Sequence, residues 1–217
     1  MTPVSIYLKL RDKFANSLLL ESSDYDVNNK NFSYICCDAI ASISVRDGII
    51  TYTYPGKKKI ITKIKENESL PLIIKNFSKK FDYNYKKYNF ITNGLFGYIS
   101  YDAVSYFEDL DLNKNKDNLE IPELYYAVYK YIISVSLFNH EAHIFCHSTN
   151  NKNEIEIIDK HLKKDLPTNY NFSKKGNKFS NFTDKEFTNL VKKGKEHCFR
   201  GDVFQIVLSR RFSQKFY

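Results

Sequence analysis

Residues 32–54 read Phe-Ser-Tyr-Ile-Cys-Cys-Asp-Ala-Ile-Ala-Ser-Ile-Ser-Val-Arg-Asp-Gly-Ile-Ile-Thr-Tyr-Thr-Tyr, and this stretch decides the fold class. From Phe32 to Val45 the residues are β-formers, and Asp47-Gly48 is a turn signal. After the turn, Ile49, Thr51 and Thr53 alternate with Ile50, Tyr52 and Tyr54, a period of two residues that belongs to a strand. Pro55-Gly56 then turns the chain back into a strand over residues 59–65. A second long apolar β segment runs from Pro122 to Phe138, and Asn139-His140 returns it into Ala142–Cys146. Leu18-Leu19-Leu20 is a short strand bounded by the polar run 24–31. Neighbouring strands joined by short turns make an antiparallel sheet.

Helices frame this sheet. Thr2 followed by Pro3 supplies a capping hydroxyl and a proline for the first turn, with Val4, Tyr7, Leu8 and Phe14 on one side of a helix reaching about Asn16. Residues 68–81 form a helix carrying Leu72, Ile73, Ile74 and Phe77, with Pro71 in its first turn. Residues 94–102 are a glycine-bearing strand entering a short helix at 103–107, and residues 150–166 are a lysine-rich helix. Residues 82–90 and 108–120 are polar loops. The expected fold class is therefore α+β, a mostly antiparallel sheet with packed helices.

A second unit follows. Residues 167–181 are polar and read as a linker. Thr183 with Glu186 has the spacing of a capping box and opens a helix carrying Phe187, Leu190 and Val191 to about Phe199. Gly201-Asp202 turns it into a strand over 203–212, with Phe204, Ile206 and Leu208 on one face and Gln205, Val207 and Ser209 on the other. One helix and one strand cannot bury two faces alone. The expected organisation is a domain over 1–166, a linker over 167–181, and over 182–217 the first helix and strand of a further domain.

Of 217 residues, 42% are hydrophobic and 27% charged, which is globular composition. Four cysteines, seven glycines and five prolines exclude a disulfide-stapled mini-domain, a collagen and a Pro/Gly-rich disordered chain. No apolar run reaches the roughly 18 residues that cross a bilayer, and no basic segment leads into an apolar core at the start. The expectation is a soluble, cytoplasmic protein with no membrane partner. Net charge is +8 at pH 7, but only five of the 33 basic residues are arginine. Specific phosphate and base contacts favour the arginine fork, and Lys, Asn, Ile and Tyr together are what an AT-rich genome yields by codon drift. Nucleic acid is not an expected partner. His140, His143, Cys146 and His147 lie close together, yet on a strand Cys146 points away from His143 and His147, poor geometry for a tetrahedral metal. Cys36 and Cys37 are adjacent, no C-x-x-C spacing occurs, and Gly94-x-x-Gly97 is too sparse for a nucleotide loop.

Three segments carry a resemblance: residues 2–11 followed by Leu18-Leu19-Leu20-Glu21-Ser22; Gly94-Leu95-Phe96-Gly97-Tyr98 through Tyr101-Asp102-Ala103-Val104 to Phe107-Glu108; and Arg200-Gly201-Asp202-Val203-Phe204-Gln205-Ile206-Val207-Leu208-Ser209-Arg210-Arg211-Phe212-Ser213. In this order they resemble the N-terminal part of the anthranilate synthase component I family. The resemblance implies a lyase that converts chorismate and ammonia to anthranilate and pyruvate, the first committed step of tryptophan biosynthesis. It also implies a glutamine amidotransferase partner, component II, that supplies the ammonia, and Mg²⁺ held by glutamates of the family's C-terminal part. No metal ligand is then expected in this chain, and the chain alone is expected to be inactive.

The same resemblance places Leu20, Glu21 and Ser22 in the family's tryptophan feedback site. A carboxylate can meet an ammonium group there and a hydroxyl can hydrogen-bond a polar end; on the residues alone, Glu21-Ser22 simply ends a strand. Phe32 stands where family members often carry a basic residue, which implies weakened feedback. Gln205 stands where water-adding relatives carry a lysine base. Ammonia needs no such base, so Gln205 marks the ammonia-using branch; without the resemblance it is a polar residue on a strand. Arg210-Arg211 can meet a carboxylate or be surface charge. Other readings of the chain are a catalytically dead tryptophan-binding module, a gene relic, or an aminodeoxychorismate synthase component I-like fragment.

Overall fold

A computed structural model describes residues 1–21, 31–65, 68–81, 88–109, 120–136, 138–139, 141–148, 154–165 and 171–217. They form two units, Met1–Pro167 and Thr168–Tyr217.

The first unit is built on two long antiparallel strands, β2 (Phe32–Arg46) after β1 (Leu18–Leu20), and β6 (Leu124–Ser136). They pair from Phe32 opposite Ser136 to Val45 opposite Leu124. Each is long enough to serve different neighbours along its two halves. β2 takes β1 along residues 34–36 and β3 (Ile49–Tyr54) along 42–46. β6 takes β5 (Phe96–Ile99) along 124–127 and β7 (Ala142–Cys146) along 131–135. β4 (Lys58–Lys63) continues the sheet beyond β3, completing seven strands. A register shift between Ala39 and Ala41, with Asp38 at φ 61°, marks a bulge that re-aims the second half of β2.

Successive side chains on a strand point to opposite faces, and the buried residues sort accordingly. Ile35, Cys37, Tyr131, Ile133 and Val135 join Ile6, Leu10, Ile158 and Leu162, so α1 (Pro3–Leu10) and α3 (Ile155–Leu162) cover one end of one face. Ala41, Ile43, Val45, Ile50, Leu124 and Val128 join Leu70, Ile73 and Phe77 of α2 (Leu70–Ser78). Cys36, Phe96, Ala127, Tyr129 and Ile132 form the third cluster. Cys36 and Ile132 are chain neighbours of Ile35 and Ile133, and Ala127 is the neighbour of Val128. The third cluster therefore lies on the face opposite the other two. Burial raises the thiol pKa of Cys36 and takes that of Cys37 up to about 12, so this adjacent pair is two inert core thiols on opposite faces.

Several elements are shorter than the sequence suggested. α1 opens on Thr2, whose Oγ accepts from the Ser5 N–H at 3.2 Å, but it stops at Leu10 rather than near Asn16. Its buried residues are Pro3, Ile6 and Leu10; of the expected face, Tyr7 and Phe14 pack against the same core cluster while Val4 is exposed. The helix expected over 68–81 contracts to Leu70–Ser78, and of the one expected over 150–166 the described residues 154–165 are helical over Ile155–Leu162.

Two local features hold the sheet to its loops. The β2–β3 turn has Asp47 at φ 49° and Gly48 at φ 74°, the doubly left-handed turn that matches strand twist. The Asp47 N–H donates to Glu123 Oε2 at 2.9 Å, and the Gly48 N–H donates to the Tyr106 hydroxyl oxygen at 2.8 Å. Tyr106 in turn donates to Glu123 Oε2 at 3.3 Å. Glu123 is buried, so one carboxylate ties β6, the turn and the 3-10 helix Tyr101–Tyr106. Gly97 of β5 lies so close to β6 that an added Cβ would collide with the Tyr125 carbonyl oxygen.

The second unit differs from its expected form. Residues 174–180, read as part of the linker, form β8 (Lys174–Ser180). The segment 203–211, read as a strand, makes no ladder; the last strand is β9 (Phe212–Phe216), antiparallel to β8. Between them α4 (Asp184–Arg200) carries the expected capping box, with the Thr183 N–H donating to Glu186 Oε2 at 2.8 Å and the Glu186 N–H to Thr183 Oγ at 3.3 Å.

Two substitutions test these constraints. Gly97→Ala is expected to lower the urea midpoint by the equivalent of about 2 kcal/mol or more, because backbone and not a flexible side chain must yield. Glu123→Ala is expected to cost about 1–3 kcal/mol by stranding buried donors, and Glu123→Gln less, since its amide oxygen still accepts.

Candidate functional site

The residues singled out from the sequence fall in both units, and each place is described by itself. In the first unit, β1 pairs Leu18 with Cys36, Leu19 with Ile35 and Leu20 with Tyr34. Tyr34 lies opposite Ser134, and Ser134 opposite His143. Directly opposed residues share a face, so Leu20, Tyr34, Ser134 and His143 form one row across four strands. The adjacent row is Leu18, Cys36, Ile132 and Phe145.

Aromatic rings cover these rows. Phe90 packs against Phe32 at 4.8 Å, His143 at 5.0 Å and Phe145 at 6.0 Å between ring centroids. Tyr88 packs against Phe90 and Phe145, both at 5.3 Å. The covering segment is pinned by the Ile91 N–H, which donates to the Tyr34 hydroxyl at 3.1 Å, and by His147 Nε2 at 2.8 Å from the Thr92 carbonyl. Ser134 Oγ is buried beneath it with no hydrogen-bond partner among the described residues. Leu20 is 39% exposed at the edge of this surface. Glu21, the next residue, is exposed. Ser22 lies outside the described residues.

The arrangement is an apolar, aromatic surface with the exposed Glu21 following Leu20 at its edge and the Glu141 carboxylate 3.9 Å from His143 Nε2. It suits a ligand with a flat apolar body and a cationic end. Tyr34, Phe90 and Phe145 were missed in the sequence because they come from three separate segments. The alternation of Phe32, Tyr34 and Cys36 was the available signal.

The histidine and cysteine group does not converge on a metal. Phe90 packs on His143, His147 meets a carbonyl, and Cys146 packs against the opposite core cluster. His140 lies outside the described residues. Among the described residues no three His, Cys, Asp or Glu side chains are placed to hold a metal ion.

In the second unit, Gly201 ends α4 in the left-handed region at φ 79°, and its N–H donates to the Cys198 carbonyl at 3.1 Å. The Asp202 N–H donates to the His197 carbonyl at 3.0 Å. The Asp202 carboxylate takes Arg200 Nη2 at 2.7 Å, Arg200 Nε at 3.1 Å and His197 Nδ1 at 2.8 Å. The His197 hydrogen bond first, and the Arg200 bonds second, hold the Asp202 carboxyl below the usual carboxylate range. Already engaged by Arg200 and His197, this carboxylate is a poor ligand for Mg²⁺, a hard cation that needs oxygen donors around it.

Gln205 is exposed in the segment without a ladder. Arg210 does meet a carboxylate, and it is the protein's own: Nη1 donates to Asp184 Oδ1 at 2.6 Å and Nε to Ser180 Oγ at 2.7 Å. The Arg211 N–H donates to Asn181 Oδ1 at 2.9 Å. These bonds join β8, the start of α4 and the approach to β9. The structure thus gives Arg210 an architectural role. No helix among the described residues is long and apolar enough to cross a membrane.

Comparison with known proteins adds the following. The family described as chorismate binding enzyme matches residues 25–217. Anthranilate synthase component 1 of Aquifex aeolicus is 30% identical over 99% of this chain and 46% of its own length. The Lactococcus lactis protein of the same name is 28% identical over 100% and 47%. Aminodeoxychorismate synthase component 1 of Bacillus subtilis is 27% identical over 95% and 44%. The crystal structure of anthranilate synthase component I from Streptococcus pneumoniae shares the fold, with a TM-score of 0.55 at 18% identity over 98% of this chain and 46% of that one. The chain spans about half the length of the curated relatives it matches.

The Asp202 cluster yields a pH prediction. By carboxyl-carbon NMR, Asp202 is expected to titrate below its ordinary 3.8, and His197→Ala and Arg200→Ala are each expected to move it back up. The folded value is the lower one, so this contact stabilises the end of α4 above about pH 4 and is lost as pH falls through the folded value.

Proposed function

This chain belongs to the chorismate-binding enzyme family, and we propose that it is the N-terminal part of an anthranilate synthase component I. In this reading the whole enzyme acts in the cytoplasm. It converts chorismate and ammonia to anthranilate and pyruvate and receives its ammonia from a glutamine amidotransferase, component II. The observation that carries the reading is a likeness to anthranilate synthase component 1 that covers 99% and 100% of this chain in the Aquifex aeolicus and Lactococcus lactis relatives. Residues 1–166 are the regulatory domain, and residues 182–217 open the chorismate-binding catalytic domain. Mg²⁺ serves the complete enzyme through ligands this chain does not supply, and the 217 residues alone have no synthase activity.

Feedback by L-tryptophan is assigned to Leu20, Glu21 and Ser22. The half-exposed Leu20 at the edge of an aromatic platform, followed by the exposed Glu21, supports this assignment. Glu21 meets the ligand's ammonium group, and the platform takes its indole. Phe32, in the place of a basic residue, packs on Phe90 instead of offering a charge to the ligand's carboxylate, which weakens the feedback. Gln205 is the marker of ammonia use and sits on the exposed segment before β9.

A second reading is the aminodeoxychorismate synthase branch, which the Bacillus subtilis relative supports. Two chimeras separate the two, residues 1–217 replacing the matching half of the Lactococcus lactis relative in one and of the Bacillus subtilis relative in the other. With chorismate, Mg²⁺ and ammonium, the Lactococcus chimera is expected to be the more active, and activity in the Bacillus chimera alone overturns the assignment. The chain alone is expected to show no activity.

Tryptophan binding has a direct readout, because the chain contains no tryptophan and the ligand's own indole emission can be followed. A blue shift is expected on binding, with Glu21→Gln weakening affinity about tenfold, the effect of losing one charge-assisted hydrogen bond. A flat titration, or equal affinity for the Glu21→Gln chain, overturns the assignment of Glu21.

A further inference from the structure

Ser134 places a hydroxyl where the sheet has least use for one. The residue is fully buried, and its Oγ has no hydrogen-bond partner among the described residues. Leaving a buried polar atom unpaired is costly, and alanine would leave the same room without that cost. Ser136, the next residue of β6 on the same face, differs: its Oγ accepts the Asn139 N–H at 3.2 Å.

Rings flank Ser134 on both sides. β6 runs between β2 and β7. On this face β2 presents Phe32 opposite Ser136 and Tyr34 opposite Ser134. β7 presents His143 opposite Ser134 and Phe145 opposite Ile132. Small serines between larger rings make a trough with Ser134 in its floor. A fifth ring fills it. Phe90 lies 4.8 Å from Phe32 on one wall, and 5.0 and 6.0 Å from His143 and Phe145 on the other, tilted only 30° from the His143 plane. It therefore spans the trough above β6. Phe90 belongs to no helix or strand, and its neighbours Tyr88 and Ile91 are exposed. Its segment is tied to the sheet by side-chain bonds, Ile91 to Tyr34 and Thr92 to His147, and not by a ladder. Segments held in this way open at low cost. A phenyl ring satisfies the aromatic walls but offers Ser134 Oγ nothing. A flat ring carrying one N–H donor satisfies both.

We propose that this trough is the ring subsite of the tryptophan site, that Phe90 fills it in the free protein in place of the ligand, and that Ser134 Oγ accepts the indole N–H once Phe90 is displaced. The proposal rests on the tryptophan reading above and deepens it, adding a specificity-determining residue and an internal competitor. Only the fraction of molecules with Phe90 displaced binds, so the competitor lowers the apparent affinity.

The test is calorimetric titration of the 217-residue chain with L-tryptophan and with 3-benzothienylalanine, in which sulfur replaces the ring N–H and the shape is kept. The chain is expected to prefer tryptophan about fivefold, the worth of one neutral hydrogen bond. Ser134→Ala is expected to abolish that preference by weakening tryptophan alone. Without ligand its urea midpoint is expected to be no lower than that of the parent chain, because no partner is lost. Phe90→Ala is expected to strengthen both ligands several-fold and to keep the preference. Phe90→Leu, which retains an apolar cover, is expected to do the same to a smaller extent and serves if Phe90→Ala does not fold. Absence of a preference in the parent chain, or a preference that survives Ser134→Ala, overturns the role of Ser134 and leaves the tryptophan reading standing. So does a lowered urea midpoint for Ser134→Ala. Weaker binding after either Phe90 substitution makes Phe90 part of the site and overturns its role as competitor. Flat titrations with both ligands, in the parent chain and in the Phe90 variants, overturn this proposal and the tryptophan reading together.

Discussion

The pairing of β2 with β6 is the constraint on which the first unit depends. Two strands of 15 and 13 residues, matched along almost their whole length, supply a ladder longer than the usual strand of about five or six residues. Excess length lets each strand take one neighbour along one half and another along the other half. Both faces of the ladder are buried, so a slip of one residue would exchange Ile35, Ile133 and Val135 with Cys36, Ile132 and Ser134 and misplace two clusters at once. The bulge at 38–40 absorbs the twist such a long pair accumulates.

Everything that defines the candidate ligand surface hangs on that register. Leu20, Tyr34, Ser134 and His143 share a row only because β1, β2, β6 and β7 pair as they do. At the other end of the ladder, Glu123 and Gly97 perform a different task. The carboxylate satisfies a turn donor and a tyrosine hydroxyl in a buried place where leaving them unpaired would be costly. The glycine lets β5 approach β6 more closely than any side chain allows. Within the resemblance-bearing segment 94–108, Gly97 and Tyr106 are thus explained by packing and hydrogen bonding.

The second unit is small and leaves many large apolar side chains exposed, among them Phe199, Phe204, Val207 and Phe216, and hydrogen bonds hold it together more than a core does. Arg210 bridges Ser180 and Asp184, the Arg211 N–H meets Asn181, and β8 pairs with β9. The segment 203–211 was legible as β-forming by composition and alternation, yet it forms no ladder. Alternation states which side chains could share a face; it does not supply a partner strand. Ile206 and Leu208 settle instead on Gly194 of α4, and β8 pairs with the residues that follow.

The sequence by itself determined the α+β class, the antiparallel sheet, the Asp47-Gly48 turn, the Thr2 and Thr183 caps, and the likeness at 18–22, 94–108 and 200–213. These are local signals: a period of two, a turn dipeptide, a hydroxyl three residues before a donor. Only the tertiary structure decided that Ile6 and Leu10, rather than Val4 and Leu8, face the core. It also decided that residues 174–180 are a strand, that His147 answers a carbonyl, and that Phe90 roofs the row beginning at Leu20. Each of those outcomes depends on which distant segment fills a face or satisfies a donor. That is settled in three dimensions, because these partners are far apart in the chain: β8 pairs with β9, and Phe90 meets Phe32 and His143.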